Sequence, residues 1–195
     1  MQLIKFCFPA FVLCSIASGT NIIPIAPARA DSSESKEARF ATGTGFHLYV
    51  AAGTLLPLLE DGKEGAGHSL RTMESVGVGG LVEYSLKRLV REKRPRSNER
   101  TSFPSGHAMA AFEVATMQSH FHPHQAPLWY GGATLIAASR VQLHRHHVHD
   151  VLAGAALGYG ISRLELSRRH GLVLSPFFRS RSDGRRMGLA LATNF

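Results

Sequence analysis

Residues 103–121 read FPSGHAMAAFEVATMQSHF, and this stretch organises the reading of the whole chain. Pro104 interrupts what precedes it, and Ser105 is placed to N-cap a helix running to Phe121. Ser105-Gly106-His107 then sits at a helix start, where unpaired N–H groups and the positive dipole end favour an anion. Gly106 offers its backbone to that anion with no Cβ in the way. Outward from here, Phe40–Leu59, Thr72–Val90, Pro127–Leu143 and Val148–Leu166 are four more apolar segments of helical character. Breakers separate them: residues 61–67 (DGKEGAG), 94–98 (RPRSN) and 122–124 (HPH). Asp150 falls in the first turn of the last segment, where the dipole favours a carboxylate. The expectation is an all-α fold, a helical bundle over residues 41–170 with no internal repeat.

Both flanks differ from the bundle. Residues 1–30 have a basic Lys5, an apolar run from Phe6 to Ala17 and the A-x-A site Ala28-Arg29-Ala30, which is the plan of a secretory signal cleaved after Ala30. The apolar run is short for a span of about 20 residues, and Leu13 is too bulky for lipid attachment at Cys14. Export to a bacterial periplasm is expected, with membrane association left open. Cleavage would remove Cys7 and Cys14, the only cysteines, and with them any thiol chemistry or disulfide. Residues 31–40 read as a polar flexible leader. At the other end, residues 171–178 and 187–195 flank a basic stretch containing Asp183-Gly184, a turn signal, so residues 171–195 are expected to form a β-hairpin, as a structural lid on one edge of the bundle.

Composition narrows the class of protein. With 195 residues and 44% apolar content the chain can bury one core and is not disordered, and 19 Gly and 9 Pro without a period exclude a collagen-like chain. Lys plus Arg is 22 against 14 Asp plus Glu, a net charge of +8, which falls to +6 once Lys5 and Arg29 leave. Such a chain expects an acidic partner: nucleic acid, an anionic membrane or phosphate. Only Phe40–Leu59 has about twenty uncharged residues, and it carries Thr42, Thr44, His47, Thr54 and Pro57. The other segments contain Glu74, Glu83, Lys87, Glu113, Arg140 or Glu165, each costing roughly 2.5–3.5 kcal/mol at mid-bilayer. A soluble or surface-associated domain is favoured. Gly154 and Gly158, four apart, allow close helix approach in either solvent.

Three basic clusters carry the chemistry. Lys87 to Pro95 is the first, Phe103 to His107 the second and Ser139 to Asp150 the third. Lys87, Arg94 and Arg140 are donors without acceptors, and the arginine fork matches phosphate oxygens. His146 and Asp150 are one helical turn apart, so Asp150 can hold one imidazole N–H and leave the other nitrogen as nucleophile or base. His107 beside the same anion can protonate a leaving group. That set describes phosphoryl transfer. Blander readings exist for each part: a solvated basic face for the six Lys and Arg from Lys87 to Arg96, a helix cap for His107, a metal site for His144 to His149 or for His120, His122 and His124. Against metal, helical placement scatters His144, His147 and His149, and Arg140 and Arg145 repel a cation.

In order and spacing the clusters resemble the tripartite signature of the type-2 phosphatidic acid phosphatase family, which shares its helical fold with class A acid phosphatases and vanadium haloperoxidases. Lys87 through Arg94-Pro95 fits K-x6-R-P, residues 104–107 fit P-S-G-H, and Ser139-Arg140 through His146 to Asp150 fits S-R-x5-H-x3-D. The resemblance covers Lys87–Asp150 closely and extends to about Arg163. It implies a phosphatase in which His146 attacks phosphorus to form a phosphohistidine, Asp150 orients His146, and His107 protonates the leaving oxygen and then activates water. Lys87, Arg94, Ser105, Gly106 and Arg140 would bind the phosphoryl group, with no metal and no cofactor. His144, His147 and His149 match no motif position; a pocket rim suits them. Expected substrates are phosphomonoesters or lipid-linked phosphates or diphosphates, small or lipidic. The alternatives are a vanadium-dependent haloperoxidase, which tends to be a larger chain, and a non-catalytic basic protein binding anionic lipid. Nucleic acid is disfavoured, because only Phe103 interleaves with the basic residues. Oligomeric state is not legible.

Overall fold

The computed structural model describes residues 36–168, 171, 174–181 and 184–191. The expected signal at residues 1–30 lies outside this part of the chain. The helices are α1 (Lys36–Thr42), α2 (Thr44–Leu55), α3 (Pro57–Glu60), α4 (Gly65–Val90), α5 (Gly106–Phe121), α6 (Ala126–Gln142) and α7 (Val148–Ser167), with a 3₁₀ turn at Pro123–Gln125. All five expected helical segments are present, and each departure has a local cause. The first segment divides at Gly43 and at Pro57, which starts α3 where its missing N–H costs nothing. Helix α1 reaches back to Lys36, inside the stretch expected as a leader, because Ala38 is buried and α1 packs on α6. Gly65-Ala66-Gly67 is not a breaker but the first turn of α4. Gly65 is buried there, and a Cβ on it would lie 2.1 Å from the Pro57 carbonyl oxygen.

Helix α5 is the axis of the bundle. It packs on α2, α4, α6 and α7, and most of its residues from Ala108 to Gln118 are buried. One core cluster joins Ala111, Val114 and Ala115 to Trp129, Ala133 and Ile136 of α6; a second joins Ala108 to Ala137 and Val151. Polar groups close the remaining seams: Tyr49 Oη donates to the Trp129 carbonyl at 2.7 Å, Gln118 Nε2 to the Gly53 carbonyl at 2.6 Å, and the Ser75 and Ser162 hydroxyls pair at 2.9 Å. At the end of α5 away from Ser105, Asp61 joins His68 at 2.6 Å and His122 at 2.8 Å, so His122 belongs to a structural cluster. The interior is built from small and polar residues. Among the helical residues and their connections, Leu143 alone of the leucines is buried, while Leu59, Leu81, Leu89, Leu128, Leu135 and Leu152 point outward.

Glycines set the closest helix approach. A Cβ on Gly154 would lie 2.5 Å from the Ser105 carbonyl oxygen and one on Gly158 would lie 2.3 Å from that of Met109, so α7 rests its backbone on that of α5. Gly79 makes room for Glu113, whose carboxylate is buried without a hydrogen-bond partner among the described residues. Burial, aided by the nearby Glu83 charge, pushes the Glu113 carboxyl up to about 9, so it is neutral at pH 7. Beyond the bundle, β1 (Leu174–Arg181) and β2 (Gly184–Leu191) pair antiparallel from Leu174↔Leu191 to Arg181↔Gly184. Gly184, expected as part of the turn signal, opens the second strand opposite Arg181; the hairpin side chains lie outside the described part of the structure.

Gly158→Ala must push backbone against backbone, so a loss of about 1–3 kcal/mol in urea denaturation is expected. Gly77→Ala, where an added Cβ meets nothing within 4 Å, should instead gain up to about 1 kcal/mol. Equal effects of the two substitutions would mean that backbone approach does not set the α5–α7 seam.

Candidate active site

The site forms where α4 ends and α5 and α7 begin. Arg91 caps α4 in the left-handed region (φ 51°), its N–H bonding the Lys87 carbonyl at 3.2 Å, and turns the chain into a loop that leads to Ser105. That loop is pinned from both sides. Lys87 Nζ donates to the Thr101 carbonyl at 2.6 Å and the Pro104 carbonyl at 2.8 Å, with Glu83 3.5 Å away. Ser102, fully buried, donates from Oγ to Asp150 Oδ2 at 2.6 Å, and the Ser105 N–H donates to the Asp150 carbonyl at 3.0 Å. All three sequence clusters therefore meet at one place.

His146 follows a tight turn after α6 in which His144 takes φ 52° and the N–H groups of Arg145 and His146 both point to the Arg140 carbonyl. Its ring is buried and its Nδ1 lies 2.7 Å from the Ser102 carbonyl oxygen. A carbonyl only accepts, so Nδ1 carries the proton and Nε2 keeps its lone pair. Asp150 Oδ2 is 3.7 Å from Nδ1, beyond hydrogen-bond range. The expected direct Asp150–His146 bond is thus replaced by a relay: Asp150 holds Ser102, and Ser102 holds the imidazole. His107, in the first turn of α5, lies against Phe46 with ring centres 4.1 Å apart and is hydrogen-bonded to the Thr42 backbone. Thr42 Oγ1 also accepts from an Arg140 terminal nitrogen at 3.2 Å and pairs with the Ser139 hydroxyl at 2.7 Å.

Unused polar atoms mark where a ligand can go. Ser105 occupies the N-cap position, but its hydroxyl makes no capping bond, and both it and Arg140 Nε are buried without a hydrogen-bond partner among the described residues. The space expected to admit an anion at Gly106 is taken by Glu83: a Cβ on Gly106 would lie 2.1 Å from Glu83 Oε1. Gly106 is therefore fixed by the packing of α4 on α5. Arg94 reaches Thr101 Oγ1 at 3.2 Å and Glu99 at 3.3 Å, and borders a cavity of about 220 Å³ with Arg96, Ser97, His144 and Arg145.

The field of the site is positive. Burial and then the charges of Arg140, Lys87 and Arg94 push the His146 imidazole down to about 3, and burial with Arg140 pushes His107 down to about 4. Arg140 is itself lowered to about 10 by burial and by Arg94 and Arg145, and burial more than Arg94 lowers Lys87, against the pull of Glu83. Burial raises the Asp150 carboxyl, but the bonds from Ser102 and the His147 N–H outweigh it and hold it below its usual range. Both imidazoles are neutral at pH 7.

Ser102, Glu83, Thr42 and Phe46 are the supporting residues that the motifs do not contain. A further departure concerns His147 and His149: they do not scatter but converge with Glu92 beside Asp150, because His147 is the extended N-cap of α7 (ψ 163°) and not a helical residue.

A histidine held neutral in the folded state binds its proton more readily unfolded. Stability therefore falls as pH drops below the unfolded value near 6.5, until the folded value is reached. His146→Asn should flatten that slope between pH 6.5 and 4 in chemical denaturation, relative to the unsubstituted chain. An unchanged slope would show that His146 is not held in its neutral form by burial and the surrounding cations.

Comparison with known proteins finds relatives in both sequence and fold. The chain is 32% identical over 150 residues to the lipid A 1-phosphatase of Porphyromonas gingivalis, an alignment covering 66% of this chain and 33% of that protein. The chain thus spans about a third of the length of this relative. The crystal structure of Aquifex aeolicus LpxE superposes with a TM-score of 0.53 at 23% identity, over 67% of this chain and 93% of that one. The Bacillus subtilis transmembrane PAP2-type phosphatidylglycerolphosphate phosphatase gives 0.50 at 23% identity, over 66% and 70%. The sequence pattern of the PAP2 superfamily matches residues 69–170, which span α4 to α7 and every residue of the cluster just described except the α1–α2 supports, and so the chain belongs to the PAP2 superfamily.

Proposed function

We propose that the protein is a phosphatase that hydrolyses a lipid-linked phosphate or diphosphate through a phosphohistidine on His146. The observation that carries this is the His146 ring: buried, neutral, protonated on Nδ1 by its bond to the Ser102 carbonyl, and set in the field of Lys87, Arg94 and Arg140. Nε2 attacks phosphorus as the bond to the leaving oxygen breaks, and that oxygen takes a proton from His107. Water then gives a proton to His107 and its oxygen to phosphorus, which releases phosphate and restores His146. The cations, with the free Ser105 hydroxyl and Arg140 Nε, supply the electrostatic stabilisation that such a transition state requires.

His107 enters this cycle as a neutral group in the empty site. A bound phosphate dianion offsets Arg140 and Arg94 and raises the proton affinity of the imidazole, so the substrate itself converts His107 into an acid. Lipid as the source of the phosphate is supported by the lipid A 1-phosphatase relative and by the outer surface. Leu89 and Val90 at the end of α4, and Val148 and Leu152 at the start of α7, are exposed apolar residues at the same end of the bundle as the site. Among the described residues no helix is long and apolar enough to cross a membrane. Peripheral contact of this end with a lipid surface, after export and cleavage at Ala30, fits both facts.

Phosphate release from lipid-linked and soluble phosphates should be assayed side by side. Lipid-linked phosphates should be preferred, activity should survive EDTA, and vanadate should block it. His146→Ala should cost at least about 10³-fold in kcat with helical content intact. Arg94→Lys should cost about 10- to 100-fold in kcat/KM despite the retained charge, because the fork is lost. Full turnover by His146→Ala would exclude the phosphohistidine, and halide oxidation by the vanadate-loaded protein would favour the haloperoxidase chemistry of the same fold.

A further inference from the structure

The histidines left over by the motif form a cluster of their own beside the site. His149 Nε2 lies 2.8 Å from Glu92 Oε1 and 3.3 Å from Asp150 Oδ1. His147 Nδ1 lies 3.4 Å from Glu92 Oε1 and 3.3 Å from Asp150 Oδ2. The two rings are stacked, 5.2 Å apart and 9° from parallel. One ligand atom from each of the four residues falls within 4.8 Å of the others. Tetrahedral zinc with bonds of about 2.0–2.1 Å needs donor atoms roughly 3.3 Å apart, close to the 2.8–3.4 Å that separates each imidazole nitrogen from its neighbouring carboxylate oxygens. Two imidazoles with two carboxylates are also the donor set of a borderline cation. An independent feature points the same way: Asp150 is fully buried, and its Oδ1 accepts no hydrogen bond while Oδ2 accepts from Ser102 and the His147 N–H.

We propose that Glu92, His147, His149 and Asp150 form a zinc site whose occupation slows turnover at His146. The coupling half of this proposal rests on the function proposed above; the binding half does not. Asp150 is the shared element. Its negative charge lies 3.7 Å from His146 Nδ1 and stabilises the positive charge the ring acquires on phosphorylation. A dication on Oδ1 cancels that charge next to the nucleophile while leaving Lys87, Arg94 and Arg140 free to bind substrate. The effect therefore falls on kcat and not on KM.

Zinc binding to the metal-free full chain is measured by titration calorimetry, and cobalt as a spectroscopic probe reports four-coordinate geometry through its visible bands. One zinc site of micromolar affinity is expected in the unsubstituted chain and in His124→Ala, an exposed histidine away from the cluster. His149→Ala and Glu92→Gln should each weaken that site at least tenfold and retain basal activity. In the phosphatase assay zinc should lower kcat at unchanged KM, with reversal by EDTA and a matching loss of inhibition in both variants. No zinc binding, or binding unaffected by either substitution, overturns the site. Binding with unchanged kcat overturns the coupling. Absence of phosphatase activity on every substrate sinks the proposed function instead, and the binding data alone then decide whether the site exists.

Discussion

The buried Ser102 is held at three atoms, its N–H by the Glu92 carbonyl, and the arrangement of the site depends on the other two. Its hydroxyl ties the loop between α4 and α5 to Asp150 of α7, and its carbonyl fixes the His146 ring. The first bond helps keep the second in register, because Asp150 reaches the imidazole only through Ser102: His146 Nδ1 and Asp150 lie beyond hydrogen-bond distance. The loop is steadied further by Lys87, which spends two ammonium donors on the Thr101 and Pro104 carbonyls. A lysine expected only to hold phosphate thus also builds the wall on which phosphate would rest, with Glu83 3.5 Å from the same ammonium.

The part of this arrangement legible in the sequence was the part written in fixed spacings. K-x6-R-P, P-S-G-H and S-R-x5-H-x3-D locate Lys87, Arg94, Ser105, His107, Arg140, His146 and Asp150, and helical periodicity places them at element ends. What periodicity cannot supply is contact between segments distant in sequence. Thr42 meets Arg140 across 98 positions, Phe46 covers His107 from another helix, and Ser102 is an ordinary loop serine until Asp150 is brought to it. Glu83 defeats a glycine argument for the same reason: the residue that Gly106 accommodates comes from α4. Helical spacing scatters His147 and His149, yet they converge because His147 is the extended N-cap that precedes the helix beginning at Val148.

Packing follows a rule unlike that of an average soluble core. Alanine, glycine, serine and methionine fill the seams between α4, α5 and α7, while leucines face outward, and a neutral carboxylic acid, Glu113, sits where Gly79 and Gly158 leave room. Small residues let backbones come close, so dispersion and short polar contacts hold the helices in place of large apolar side chains. Such seams tolerate little added volume, and they leave large apolar side chains such as Leu59, Leu81 and Leu89 on the exterior.

Electrostatics connects that framework to chemistry. Three buried or half-buried cations beside two imidazoles are costly unless something compensates them, and Asp150 and Glu83 do so in part; burial first, and then the cations, drive both rings to their neutral forms. The residual positive charge is what an incoming dianion neutralises. Affinity for phosphate and affinity of His107 for a proton are therefore two sides of one linkage: whatever strengthens the first strengthens the second. In the proposed reaction the site is therefore armed by its own substrate, because the dianion it binds is what lets His107 take up the proton it gives to the leaving oxygen.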